Sequence, residues 1–295
     1  MNRHELERWL VNRNREYSQT GIPHIRRPWD AMRDLSIQSG SSISLGSPIC
    51  DQVFSWFEKN SPPGSHDIGT VYEGAFFLDS AFWQVRVGLL IGAAQIDPLG
   101  SLPTMPHMLK HQLATSKAAY HEYIGYWCDC WDFIYGFEAL AQSEGTDDRF
   151  WKLVKAGYDE LRGAVSLLLS QRTNLKSILS FRLATEIFLK AALVREASCS
   201  DKDLLRIGHS IAQAAEACRP YLDETFLVEL IGTASHFPSM SSRYESEDRD
   251  PALVWKANVQ AHRAAAEIMR KYTASNVRAQ LERKLALLPD STWLS

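Results

Sequence analysis

Three charged side chains in one apolar segment have the spacing of a helical stripe. Arg182, Glu186 and Lys190 follow one another at intervals of four residues, and residues four apart lie on the same face of an α-helix. His209 and the pair Arg243-Tyr244 follow downstream. Cations supply affinity for phosphate groups, and an aromatic ring can stack on a base. We therefore predict a ligand-binding site made of Arg182, Glu186, Lys190, His209, Arg243 and Tyr244.

The stripe also has a simpler interpretation as a solvated row of ion pairs, because such i, i+4 pairs are common and weak. A site requires convergence, with His209 and Arg243 lying beside Glu186 in the folded chain. If the site performs chemistry, His209 is the candidate acid or base.

Histidines and cysteines do not combine into a metal or redox centre in this sequence. His107 and His111 could ligate one ion from a single helical turn, but His121 lies ten residues further on, about 15 Å along a helix. Cys128 and Cys130 point to opposite sides of a helix and are expected to be core thiols. We predict no metal site and no cofactor.

Motifs of the common enzyme classes are missing from the sequence. It contains no Gly-x-Ser-x-Gly, no P-loop and no Gly-x-Gly-x-x-Gly, so hydrolase, P-loop and Rossmann chemistry receive little support. The five cysteines include no Cys-x-x-Cys, and the N-terminal residues lack the apolar core of a signal peptide. These features favour a cytoplasmic protein.

Charge is distributed unevenly along the 295 residues, which carry a net charge of −3. Residues 251–295 contain seven Lys or Arg against three Asp or Glu, a net charge of +4. This segment is either an anion-binding surface or a basic helix that docks on the acidic remainder of the chain. The seven cations are Lys256, Arg263, Arg270, Lys271, Arg278, Arg283 and Lys284.

Hydrophobic periodicity predicts an all-α fold built of helical bundles. Apolar residues recur at spacings of three and four, and no alternating strand pattern stands out. An irregular stretch rich in Gly, Pro and Ser separates the first two helices. The predicted helices cover residues 5–17, 49–59, 68–96, 106–142, 147–170, 175–197, 209–219, 222–236 and 251–288.

Two of these helices are expected to lie in the interior. The one over 106–142 is aromatic nearly all round, which is typical of a helix buried on several sides. In the one over 68–96, Asp79 and Arg86 are seven residues apart and therefore near one face. Glu122 and Asp129 repeat that spacing, and we expect an ion network in which these acids meet Arg86.

The C-terminal half resembles the HEPN family, the helical "higher eukaryotes and prokaryotes nucleotide-binding" domains. The resemblance covers about residues 147–275. It rests on the order of an amphipathic helix, a motif similar to Ala-x-Glu-x-x-Leu-Lys at residues 184–190, a Gly-His before the next helix, and Arg243-Tyr244 before the last one. The predicted domains are a helical region over 1–145, an HEPN-like bundle over 146–275 and a C-terminal extension over 276–295.

The sequence departs from the family at the residues that matter for catalysis. Ribonuclease members carry an Arg followed by a His after four to six residues, and this chain has no such pair. The resemblance implies a binding protein for nucleotide or RNA that forms a homodimer or binds a protein partner, often in bacterial defence or a toxin-antitoxin setting. The alternatives are an atypical metal-independent ribonuclease that uses His209 with a basic clamp, and a purely structural assembly protein.

Overall fold

The chain folds into two compact units, Met1–Thr70 and Val71–Ser295. The computed structural model describes residues 3–24, 26–40, 43, 47–61, 70–88, 97–143, 145, 147–173, 175–239, 242 and 248–286. This part of the chain contains twelve α-helices and one two-stranded hairpin, so the predicted all-α class is confirmed. The predicted domain boundary between residues 145 and 146 falls inside the second unit.

The described residues of the first unit form three helices around a small core. They are α1 (Arg3–Gln19), α2 (Arg27–Ser39) and α3 (Pro48–Lys59). The core residues are Leu6, Leu10, Tyr17, Ala31, Met32, Leu35, Cys50, Val53 and Phe57.

Helix α2 lies in the stretch that the sequence predicted to be irregular, and that prediction is wrong. Pro28 and Gly40 belong to the glycine and proline residues of that stretch, but both occupy positions that helices favour. Pro28 lies in the first turn, where its missing N–H costs nothing. Gly40 ends the helix with φ of 65°, the left-handed conformation that glycine adopts without strain.

The predicted helix over 68–96 is also wrong over its described part, which forms a β-hairpin. Strand β1 (Thr70–Leu78) pairs with β2 (Ala81–Gly88). Asp79 and Ser80 connect them with φ of 52° and 62°, the backbone of a two-residue turn that matches strand twist. Short apolar runs fit a helix and a strand equally well, and the turn decides between them. Residues 89–96 lie outside the described part of the chain.

In the described part of the second unit, nine helices follow the hairpin, and several differ from the prediction at their ends. The predicted helix over 106–142 is interrupted at Ser116, whose hydroxyl accepts the N–H of Ala119 and begins a new helix. The predicted helix over 251–288 is likewise two helices, and α8 was not predicted. The nine are α4 (His107–Thr115), α5 (Lys117–Gln142), α6 (Asp148–Leu169), α7 (Leu175–Ala197), α8 (Asp201–Ile207), α9 (Ile211–Cys218), α10 (Glu224–Thr233), α11 (Pro251–Tyr272) and α12 (Val277–Ala286).

Helices α5, α7 and α11 form the centre of the second unit. Helix α11 packs against both α5 and α7, and α6 packs along α7. Gly136 lets α5 and α11 approach closely, because a Cβ there would lie 2.4 Å from the Cβ of Met269. The prediction that the aromatic helix is buried on several sides is confirmed for α5.

A buried polar cluster ties the hairpin to α5 and α11. The hydroxyl of Tyr72 lies 2.8 Å from Nε2 of His262. Nδ1 of His262 donates to the carbonyl of Asn258 at 3.0 Å. The Asn258 amide donates to the carbonyl of Ala75 at 2.7 Å, and the Ala75 N–H donates to Tyr126 at 2.9 Å. Burial lowers the pKa of His262 to about 4, so the ring is neutral in the folded chain.

His262 is expected to make the protein less stable in mild acid. The unfolded chain binds a proton at this residue near pH 6.5 and the folded chain only near pH 4, so stability falls as the pH drops through this window. The loss attributable to His262 is about 2 kcal/mol between pH 7 and pH 5. Urea unfolding at the two pH values measures it, and His262→Met should flatten the pH dependence, whereas His111→Met should not. An equal slope in wild type and His262→Met contradicts the prediction.

Within the described residues, no helix is long and apolar enough to cross a membrane.

Candidate functional site

Helix α7 carries the predicted stripe along a face that is largely covered. The helix extends over Leu175–Ala197, the range predicted from its periodicity. Glu186 is only 2% exposed. The stripe is therefore not a solvated surface row, and its carboxylate must be neutralised inside the fold.

Two side chains contact the Glu186 carboxylate. Nζ of Lys190 donates to Oε1 at 2.6 Å, one turn further along α7. Nδ1 of His209 lies 3.1 Å from Oε1 and 3.3 Å from Oε2. Because a carboxylate only accepts, the Nδ1–H of His209 is the donor, and this bond fixes the orientation of the ring.

The two cations of the stripe also bind backbone carbonyls of neighbouring segments. Lys190 donates to the carbonyl of Gly208 at 2.8 Å. Arg182 donates to the carbonyl of Pro238 at 2.6 Å and, through its other terminal nitrogen, to the carbonyl of His209. Burial lowers the pKa of Arg182, and the charge of Glu186 opposes this effect. Both cations thus hold the segment that connects α8 to α9, which we call the α8–α9 corner (residues 208–210).

The backbone of this corner depends on one glycine. Gly208 ends α8 with φ of 66° and ψ of −140°, a conformation that residues with a Cβ rarely adopt. Ser210 then caps α9 by accepting the N–H of Gln213. Helix α9 begins at Ile211, so the predicted helix start at residue 209 is wrong by two residues. His209 lies outside the helix, and its side chain is 66% exposed.

The structure brings together four of the six predicted site residues. Arg182, Glu186, Lys190 and His209 form one cluster of direct contacts around the α8–α9 corner. Arg243 and Tyr244 lie outside the described residues. The backbone carbonyls of Gly208 and Pro238 also belong to the cluster, and no side-chain pattern could have identified them.

The geometry of this cluster limits what each residue can do. The charged ends of Arg182 and Lys190 are directed to acceptors within the protein, so they stabilise the corner. His209 alone within this cluster of four is exposed. An imidazole held at Nδ1 by a buried carboxylate presents its Nε2 edge, which can bind an anion when protonated or accept a proton when neutral.

The basic C-terminal segment is mostly neutralised within its own unit. Four of its seven cations, Arg263, Arg270, Lys271 and Arg278, lie within ion-pair distance of carboxylates. Arg263 pairs with Glu267 of the segment itself, whereas the other three pair with acids of the remainder of the chain, which favours the second of the two alternatives. Lys256 and Arg283 stay exposed.

At the centre of these ion pairs are two buried aspartates of α5. Nη2 of Arg270 lies 2.6 Å from Asp129 and 2.7 Å from Asp132, and Nη2 of Arg278 lies 2.8 Å from Asp129. Asp132 also accepts the N–H groups of Val277 and Arg278, which begin α12. Burial alone would lower the pKa of Arg270, but the nearby carboxylates outweigh it and raise that pKa.

The ion network predicted from seven-residue spacing is therefore wrong in its partners. Asp79 lies in the hairpin turn and Arg86 on β2, so the two do not share a helix face. Glu122 accepts the indole N–H of Trp255 at 2.5 Å. Asp129 meets Arg270 and Arg278, which follow it by about 140 and 150 residues in the chain.

No group of three or more His, Cys, Asp or Glu that could hold a metal occurs in the described part of the chain. His107 and His111 lie exposed on α4. Cys128 and Cys130 are buried thiols, as predicted, and burial raises the pKa of Cys128 to about 12. A thiol with so high a pKa is a poor nucleophile at neutral pH.

No family model, curated protein or solved structure matches this chain. The HEPN resemblance of residues 147–275 remains a prediction from their motifs.

Proposed function

We propose that this chain is a binding protein for a phosphate-bearing ligand, a nucleotide or RNA, and that His209 makes the principal contact. One observation carries the proposal: the buried carboxylate of Glu186 holds Nδ1 of an exposed imidazole. A protonated imidazole is a charge-assisted donor to phosphate. The N-terminus of α9 begins two residues away and adds a favourable field for an anion.

In this proposal Arg182 and Lys190 position the corner and do not contact the ligand. The two terminal nitrogens of Arg182 donate to the carbonyls of Pro238 and His209. Nζ of Lys190 donates to Glu186 and to the carbonyl of Gly208. Arg243 and Tyr244 are proposed as further ligand contacts because of their residue types and their position in the sequence. A protein partner or a second copy is also proposed, supported by Leu205 of α8, which is 79% exposed close to the corner in sequence. The cytoplasmic location and the setting in bacterial defence rest on the sequence features described above.

Binding of labelled RNA and labelled ATP, followed by fluorescence polarisation, tests the role of His209. We expect His209→Ala to weaken binding about tenfold, the loss of one charge-assisted hydrogen bond. His111→Ala, which removes another exposed histidine of the same unit, should leave affinity unchanged. Equal affinity in wild type and His209→Ala, or no binding by the wild type, would show that the cluster has a structural role only.

An acid or base role for His209 is the second candidate function, favoured by the same hydrogen bond to Glu186. A carboxylate that fixes an imidazole by Nδ1 leaves Nε2 to exchange protons with a substrate. Incubation of wild type and His209→Ala with end-labelled RNA in the presence of a chelator separates the two functions. Cleavage that His209→Ala abolishes indicates an atypical ribonuclease, and binding without cleavage indicates a binding protein.

A further inference from the structure

In the described part of the first unit, one buried cation has no anionic partner. Arg27, at the start of α2, is 7% exposed. Its Nε donates to the carbonyl of Ile22 at 2.8 Å, and its Nη1 donates to Oδ1 of Asn14 at 2.8 Å and lies 3.4 Å from Nδ1 of His24. None of these acceptors is a carboxylate. Buried charges in proteins are normally paired with an opposite charge, whereas this guanidinium meets no carboxylate among the described residues.

The neighbouring arginines of α2 are paired in the usual way. Arg26 lies 3.1 Å from Asp30, and Arg33 lies 2.9 Å from Asp30 and 3.2 Å from Asp34. The acids of this helix are thus engaged by other cations. Burial lowers the pKa of Arg27, which is the direction expected for a covered cation that no anion stabilises.

We propose that Arg27 and Asn14 bind a carboxylate. A guanidinium has five N–H donors, and the two on Nη2 of Arg27 have no acceptor among the described residues. Because Oδ1 of Asn14 faces Nη1, its amide nitrogen lies within a few ångströms of the same guanidinium edge. The site therefore offers donors from two side chains around one positive charge.

The charge of the site selects the class of ligand. One unpaired cation matches a single negative charge, and the planar fork of arginine matches the two oxygens of a carboxylate. A phosphate dianion carries a second negative charge that Arg27 and Asn14 do not match, because Asn14 is neutral. The carboxylate belongs to a small molecule or to an acidic side chain of another protein.

Thermal unfolding of the full chain in sodium acetate and sodium chloride at equal ionic strength tests this site. A ligand that binds only the folded state raises the melting temperature. We expect acetate to raise it by several degrees more than chloride in wild type and in Arg26→Gln, but not in Arg27→Gln. Arg26→Gln is the matched control, because it removes the adjacent arginine, which is exposed. An acetate-specific shift of equal size in Arg27→Gln overturns the proposal, as does its absence from the wild type.

Asn14→Asp keeps the test decisive if Arg27→Gln fails to fold. This change places a carboxylate where Oδ1 already lies 2.8 Å from Nη1 of Arg27. We expect a higher melting temperature in chloride and no acetate-specific shift, because the new carboxylate supplies the negative charge that Arg27 otherwise takes from the ligand and removes the Asn14 amide donor. An acetate-specific shift that persists unchanged in Asn14→Asp overturns the proposal.

Two further probes identify the source and the class of the ligand. A blocked peptide with one glutamate, at the carboxylate concentration of the acetate sample, supports an acidic protein segment if its shift exceeds that of acetate. An equal or smaller shift supports a small carboxylate. A larger shift with inorganic phosphate than with either carboxylate overturns the assignment to a carboxylate.

Discussion

Replacement of Asp129 by alanine is expected to lower the free energy of unfolding by about 3–5 kcal/mol, the cost of breaking a buried ion pair from one side. Oδ1 and Oδ2 of Asp129 lie within 2.6 Å and 2.8 Å of Arg270 and Arg278, respectively. Without this carboxylate, Arg278 loses its carboxylate partner and Arg270 keeps Asp132 and Glu267. Urea unfolding followed by circular dichroism measures the loss.

Two comparisons show whether the charge of Asp129 is responsible. Asp129→Asn preserves the volume of the side chain and should still be strongly destabilising. Asp159→Ala, an exposed aspartate of α6, should change stability by less than about 0.5 kcal/mol. Because Arg278 helps to fix the start of α12, limited proteolysis of Asp129→Ala should also cleave within Val277–Ala286 sooner than in the wild type. A loss below about 1 kcal/mol in both Asp129 variants would show that the network stabilises the fold no more than a surface ion pair does.

Replacement of Glu186 by alanine is expected to cost a similar amount, about 3–5 kcal/mol. The reason is again burial, since the side chain of Lys190 is 14% exposed and would lose the only carboxylate within its described contacts. Loss of a solvated i, i+4 pair would cost less than about 1 kcal/mol, so this measurement distinguishes a buried ion pair from a solvent-exposed one.

A double variant tests the same pair without leaving a charge unpaired. Glu186→Leu combined with Lys190→Met replaces the ion pair by apolar side chains of comparable volume, and such replacements are often nearly neutral. We therefore expect the double variant to be more stable than Glu186→Ala. If the double variant loses as much unfolding free energy as Glu186→Leu and Lys190→Met lose in sum, the two side chains are not coupled. The cost of Glu186→Ala then has another origin.

Local patterns in the sequence predicted most helices of the second unit. The predicted ranges 147–170 and 175–197 agree within one residue with α6 and α7, because an N-cap at Asp147 and a run of apolar residues at helical spacing are properties of the segment itself. The same reasoning failed for the hairpin, where the backbone of Asp79 and Ser80 had to turn for the apolar runs to form strands. It failed for α2 because proline is tolerated in the first turn of a helix, where Pro28 lies, but interrupts a helix in its middle.

The candidate site was likewise predictable from the sequence only in part. The i, i+4 spacing by itself determined that Arg182, Glu186 and Lys190 share a face of α7, since 3.6 residues make one turn in any α-helix. Only the tertiary structure decided that this face meets the α8–α9 corner, that Glu186 is buried and that the two cations are directed inward. Likewise, sequence composition showed that the C-terminal segment is basic, and the packing of α11 and α12 on α5 decided which acids neutralise it. Spacing relates residues within one element, whereas burial and ion pairing depend on which distant elements come into contact, and those contacts leave no local pattern.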